Sequence, residues 1–207
     1  AVPWMSNWQY AAEVPTMQYR SANTLPREIG LFRGPDGQIY ASSTPSPELL
    51  ALRNRLVTSK SGTTLGGSAK SFRLPESNSG VCEILAEIAT QSADSVTLTL
   101  SNKVGEKVEM VYDPVAHTMK FDRRRSCVTD FSESFPAVTA APTFETDGKL
   151  SLRIFIDRSS IEYFGNEGRS VMTNIVFPTE PYTTLSFTAA GGKAKLKNLK
   201  IYSLTAK

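Results

Sequence analysis

Period-two alternation of apolar residues constrains this chain more than any other feature. Val96, Leu98 and Leu100 alternate with Thr97, Thr99 and Ser101, and Cys82, Ile84, Ala86 and Ile88 alternate with Glu83, Leu85 and Glu87. Successive side chains of an extended chain point to opposite faces, so both stretches predict antiparallel strands with one face in a core and one in water. The same period runs from Leu152 to Gly168, LRIFIDRSSIEYFGNEG. There Leu152, Ile154 and Ile156 share one side, the Arg158-Ser159-Ser160 turn follows, and Ile161 and Tyr163 continue opposite Glu162 and Phe164. Gly165-Asn166-Glu167-Gly168 then supplies residues that tolerate a tight reversal.

Further strands are expected at Lys107 to Tyr112, Thr118 to Phe121, Val171 to Phe177, Thr184 to Ala189 and Ala194 to Ser203. Gly34-Pro35-Asp36-Gly37 between IGLF and QIYAS predicts a hairpin. Glu48 to Leu56 is ambiguous, with a short helix the reading it allows, Ser59 to Gly67 reads as a polar loop, and SAKSFRL as a strand. With roughly ten to twelve short strands and no crossover helices, the pattern predicts an all-β, two-sheet antiparallel sandwich of jelly-roll or concanavalin-like type. A sandwich of this length buries roughly 70% of its unfolded surface and needs neither metal nor disulfide to fold.

Residues 1 to about 31 differ. They are rich in Trp, Tyr and Pro and lack sustained alternation; Pro3, Pro15 and Pro26 exclude a helix through most of them, and Met5 to Tyr10 reads at most as one short strand. Large aromatics in so irregular a segment need another surface, so the segment reads as a tail cut from a neighbouring domain or as an arm lying on the sandwich. The chain opens at Ala1 without a secretory leader, which reads as a processed end or a cut boundary.

Composition narrows the function classes. The formal charge is only +3, which does not point to nucleic acid, and no apolar run reaches the ~20 residues of a membrane helix. No Asn-X-Ser/Thr sequon is present. His117, the single histidine, offers no zinc cluster or Ser-His-Asp set and reads as a half-exposed strand residue. Cys82 and Cys127 read as buried free thiols, although a pairing across a sheet stays open. No cofactor or metal site is expected.

Four groups invite chemistry. Asp157 and Glu162 flank a turn, and glycoside hydrolysis uses two carboxyls about 5–5.5 Å or 6.5–9.5 Å apart. A turn carboxylate beside Arg158 is better explained by pairing with that arginine or with turn amides. Arg123-Arg124-Arg125, flanked by Asp122 and Asp130 and lacking interleaved aromatics, reads as sheet-end arginines paired with carboxylates rather than a phosphate site. The lysines from Lys193 to Lys200 read as the solvated face of a last, edge strand. Trp4 and Trp8 are packing residues on composition alone, yet Trp8 in Asn7-Trp8-Gln9-Tyr10 sits among amides that could bond sugar hydroxyls.

Three ordered stretches resemble glycoside hydrolase family 32, the fructan-cleaving levanases, inulinases and invertases. WMSNWQYA (Trp4 to Ala11) followed by YRSANTLPRE (Tyr19 to Glu28) is similar to the family's last propeller strand and exit segment. FDRRRS (Phe121 to Ser126) with DFSESF (Asp130 to Phe135) resembles its DRTRSG-type stretch, and IFIDRSSIEYFGNEGRSVMT (Ile154 to Thr173) its DRSSVEVF motif. The resemblance implies a C-terminal β-sandwich, residues 32–207, preceded by a remnant of the catalytic five-bladed β-propeller, residues 1–31. The family's catalytic residues lie in propeller motifs resembling WMNDPN, RDP and EC, none of which occurs in this chain. The fragment is therefore expected to carry no catalytic residue, and Asp157 and Glu162 become turn and ion-pair residues. Trp8 matches the tryptophan that lines the terminal-fructose pocket of the family.

The resemblance further implies a secreted, periplasmic or cell-surface parent that hydrolyses levan, inulin or sucrose with retention. Its catalytic propeller would be the main partner, with fructan binding and oligomerisation left open. The alternatives are a lectin-like, carbohydrate-binding module for fructans and a standalone hydrolase using Asp157 and Glu162.

Overall fold

A computed structural model describes residues 1–76, 80–126 and 128–205. Its strands in chain order are β1 (Arg27–Arg33), β2 (Ile39–Pro45), β3 (Arg53–Leu65), β4 (Lys70–Arg73), β5 (Cys82–Ala89), β6 (Ser95–Ser101) and β7 (Lys107–Asp113). They continue with β8 (Thr118–Asp122), β9 (Val138–Pro142), β10 (Leu150–Ile156), β11 (Ser160–Gly165), β12 (Ser170–Ile175), β13 (Thr184–Ala190) and β14 (Ala194–Leu204). One sheet has the order β12-β11-β10-β5-β14-β3 and a second the order β4-β13-β6-β7-β8-β9, all neighbours antiparallel; β1 and β2 form a separate hairpin. This is the expected sandwich.

The alternating residues meet between the sheets. Ile84, Ile88, Leu150, Ile154, Tyr163, Leu196 and Ile201 from one sheet face Val96, Leu98, Leu100, Met110, Phe121 and Phe187 from the other in one continuous core. Burying each large apolar side chain contributes roughly 1.5–3 kcal/mol, which makes this layer the main source of stability. Leu196 and Leu199 both point inward although they are three positions apart, an odd number that strict alternation would send to opposite faces. A register shift against β5 between Leu196 and Asn198 absorbs the extra residue.

Four local expectations are corrected. Met5 to Tyr10 is not a strand: residues 8–13 are turn, and the Tyr10 and Ala11 amides both donate to the Asn7 carbonyl. Ser59 to Leu65 is not a loop but the second half of β3, paired with β14 from Ala194 to Lys200. Its hydroxyl residues suit an exposed edge strand, where only one ladder must be satisfied. Consequently β14 is interior and its lysines do not protect an edge, although Lys197 is exposed. His117 lies in a turn at φ 49° and stacks 4.9 Å from Phe144, rather than in a strand. Glu48 to Leu52, by contrast, falls within a 3-10 turn, Pro47–Leu52.

The outer face of the first sheet is drier than alternation predicts. Every residue of β11 is buried, and Glu83 of β5 is fully buried. The cause is a second apolar layer laid over that face: Leu49 of the 3-10 turn, Phe155, Phe164 and Leu204, with Leu25 and Val171 packed against them. Beneath it Glu83 accepts from Arg53 Nε at 2.6 Å and Nη2 at 2.9 Å, and from Arg153 Nε at 2.5 Å. The hydrogen bonds of Glu83 favour the charged form of Arg53 and push its pKa up. Cys82 carries a buried free thiol that desolvation pushes up to about 12; Cys127 lies outside the described residues.

Candidate functional site: the clamped N-terminal arm

The N-terminal segment is an arm on the sandwich, laced to itself and clamped at two points. Met5 N donates to the Ala22 carbonyl at 3.1 Å and Thr24 N to the Pro3 carbonyl at 2.8 Å, closing residues 3–24 into a loop. The first clamp is at its base. Glu162 of β11 accepts from the Leu25 amide at 2.7 Å and from Arg27 Nη2 at 2.5 Å, and the same nitrogen donates to Thr173 Oγ1 at 2.6 Å. The Arg27 guanidinium also lies 5.0 Å from the Phe164 ring centroid.

This geometry gives the two carboxylates different partners. Glu162 is buried beneath the arm and both of its oxygens are engaged. Asp157 is exposed in the turn, where its carboxylate accepts from the Arg158 amide at 2.7 Å and its amide donates to the Ser160 carbonyl at 2.9 Å. The two carboxyls serve different elements, Glu162 the arm and Asp157 its own turn.

The second clamp is Arg123, and here the expected carboxylate pairing is corrected. Arg124 does pair with Asp122 at 2.7 Å, and Arg125 lies 3.6 Å from Glu109. The Arg124 hydrogen bond holds the Asp122 carboxyl below its ordinary range. Arg123 instead is buried, and each hydrogen bond it makes among the described residues goes to a neutral oxygen. Nε donates to the Phe135 carbonyl at 3.0 Å, Nη1 to the Ile175 carbonyl at 3.4 Å and Nη2 to the Tyr10 hydroxyl at 3.1 Å. Around it Tyr10 and Val14 of the arm enter a socket formed with Phe135 and Ile175 and lined by Phe131 and Phe177. Sequence reading missed this role because the run of three arginines looks uniform; only the register separates the inward Arg123 from its solvated neighbours.

Trp8 belongs to this clamped arm but is not gripped by the sandwich. It is 90% exposed, as is Met17 at 93%, and its ring is 5.2 Å from that of Trp4. Neither packs into the sandwich core. Among the described residues no group of three or more His, Cys, Asp or Glu could hold a metal, and no helix is long and apolar enough to cross a membrane. A shallow groove of about 350 Å³ lies on the outer face of the first sheet, where Thr44 and Pro45 of the hairpin approach Ser151, Arg153 and Asn198.

Comparison with known proteins gives this arrangement its place. Residues 48–203 match the family described as Glycosyl hydrolases family 32 C terminal. A levanase from Bacillus subtilis (strain 168) is 37% identical over 205 residues, and one from Bacillus sp. (strain L7) 33% identical over 204 residues; each alignment covers 97% of this chain. The chain spans only 30% and 22% of those two relatives. The crystal structure of exo-inulinase from Aspergillus awamori superposes with a TM-score of 0.89 at 26% identity, covering 99% of this chain and 40% of that one. A fold matched over nearly the whole chain, and a family match over three quarters of it, establish that the chain belongs to glycosyl hydrolase family 32 as its C-terminal domain.

Proposed function

We propose that this chain is the non-catalytic C-terminal part of a secreted fructan-hydrolysing glycosidase, and that it stabilises a catalytic β-propeller preceding it in the same polypeptide. Residues 1–31 are the remnant of the last propeller blade and its exit, and residues 32–207 the sandwich. The observation that carries this reading is an arm only partly held by the sandwich. Tyr10, Val14, Leu25 and Arg27 are gripped by it, while Trp8, beside Trp4, and Met17 stand in solvent. Exposed large apolar side chains on an ordered segment mark a surface that belongs against something else. The whole polypeptide would release fructose with retention from levan, inulin or sucrose, and Trp8 would form part of the wall of its sugar pocket. Extracellular location follows the pattern of relatives such as the extracellular exo-inulinase of Aspergillus ficuum.

The test is deletion of residues 32–207 from the full-length polypeptide. The reading predicts a lower melting temperature and faster loss of fructan hydrolysis on warming. An unchanged melting temperature and lifetime would refute it.

The groove beside Arg153 favours a second reading, a lectin-like fructan-binding face, because it places Ser151, Glu87 and Asn198 beside an arginine. Calorimetric titration with fructo-oligosaccharides decides it; no heat at millimolar ligand removes it.

A further inference from the structure

We propose that Arg123 is a positioning residue for sugar binding: through Tyr10 it sets where Trp8 stands. The inference rests on the reading of Trp8 as part of the sugar pocket. Trp8 and Tyr10 belong to one short, tightly bonded turn. The Asn7 carboxamide oxygen accepts from the Gln9 amide at 2.8 Å, and the Asn7 carbonyl accepts from the Tyr10 amide at 3.2 Å and the Ala11 amide at 2.8 Å. These bonds tie residues 7–11 into one turn, so a displaced Tyr10 backbone carries Trp8 with it.

Tyr10 is fixed in turn by the sandwich. Its hydroxyl accepts from Arg123 Nη2, its ring meets Phe135 edge-on at 5.4 Å, and the Arg123 guanidinium lies 4.3 Å from the Phe135 ring centroid. A buried guanidinium is costly unless its donors are satisfied, and Arg123 satisfies three of its nitrogens on three separate elements: the arm, the loop before β9 and the end of β12. Its planar fork makes that convergence specific, which a lysine cannot reproduce. The sandwich thus reaches to within two residues of Trp8.

Kinetics of the full-length polypeptide on a fructo-oligosaccharide test this. Arg123→Lys should raise KM about tenfold, as expected when loss of the charged hydrogen bond to Tyr10 lets Trp8 leave its place. In a Trp8→Ala background the same change should raise KM no further, because Arg123 acts through Trp8. An additive rise, or a wild-type KM for Arg123→Lys where Trp8→Ala raises KM, overturns the inference alone. A wild-type KM for Trp8→Ala overturns the reading of Trp8 and the inference with it.

If Arg123→Lys does not fold, Tyr10→Phe takes its place, with a rise of about threefold and the same non-additivity. The 207-residue chain gives an independent readout, because its two tryptophans, Trp4 and Trp8, are both on the arm. Arg123→Lys should increase their mobility in fluorescence anisotropy, and unchanged anisotropy contradicts the clamp.

Discussion

Glu162 and Arg27 form an ion pair of 2.5 Å across 135 residues of sequence, with side chains only 3% and 8% exposed. One partner is in the hairpin of the most strongly patterned segment, the other where the arm joins β1. Buried pairs contribute little against an apolar replacement of both partners, but breaking one side leaves the other charge uncompensated. Glu162→Gln should therefore cost about 3 kcal/mol in urea unfolding. Glu162→Leu combined with Arg27→Met should cost less than Glu162→Gln alone. A double variant as unstable as the sum of its singles would show that the pair is not the coupling element.

Beyond the Arg27 clamp, the hairpin β1–β2 is held against the sandwich at Gly168. The Ser43 amide donates to the Gly168 carbonyl at 2.9 Å, and Gly168 has φ +75° with the Ser43 carbonyl where a Cβ would stand. Gly168→Ala would both strain the backbone and push the hairpin away. The expected loss is roughly 1–3 kcal/mol, with hydrogen exchange faster in residues 39–45 than in the core strands. Uniform exchange rates would contradict a local effect.

The layers of this fold were legible from the sequence wherever alternation was strict. Val96, Leu98 and Leu100 lie in the core as their period requires, and the Gly34 to Gly37 turn joins β1 to β2. What could not be read were features decided by tertiary cover. Glu83 and Glu162 occupy positions that a two-faced strand gives to water, yet the arm and the 3-10 turn bury both. No local pattern announces that a distant segment will lie on an outer face. Arg123 was hidden for the same reason: its partners Tyr10 and Ile175 are 113 and 52 residues away. The edge strand β3 was missed because its serines and threonines carry loop composition, and only pairing with β14 makes them a strand.

Acid should loosen the end of β8. The Arg124 hydrogen bond lowers the Asp122 pKa from its ordinary 3.8, so the folded state favours the ionised form. The sign follows: this contribution is fully present above 3.8 and is lost as pH falls through the lowered folded value. Arg124 is 61% exposed and the pair is screened, so Asp122→Asn should cost only about 0.5 kcal/mol at neutral pH. The difference from wild type should vanish in strong acid. A difference that grows as pH falls would contradict the assignment.

The most direct test is fructose release by the 207-residue chain itself on levan, inulin and sucrose. With Glu162 buried beneath the arm and Asp157 in a separate turn, the expected result is no release above the blank. Release that is measurable and disappears in Glu162→Gln would contradict the account.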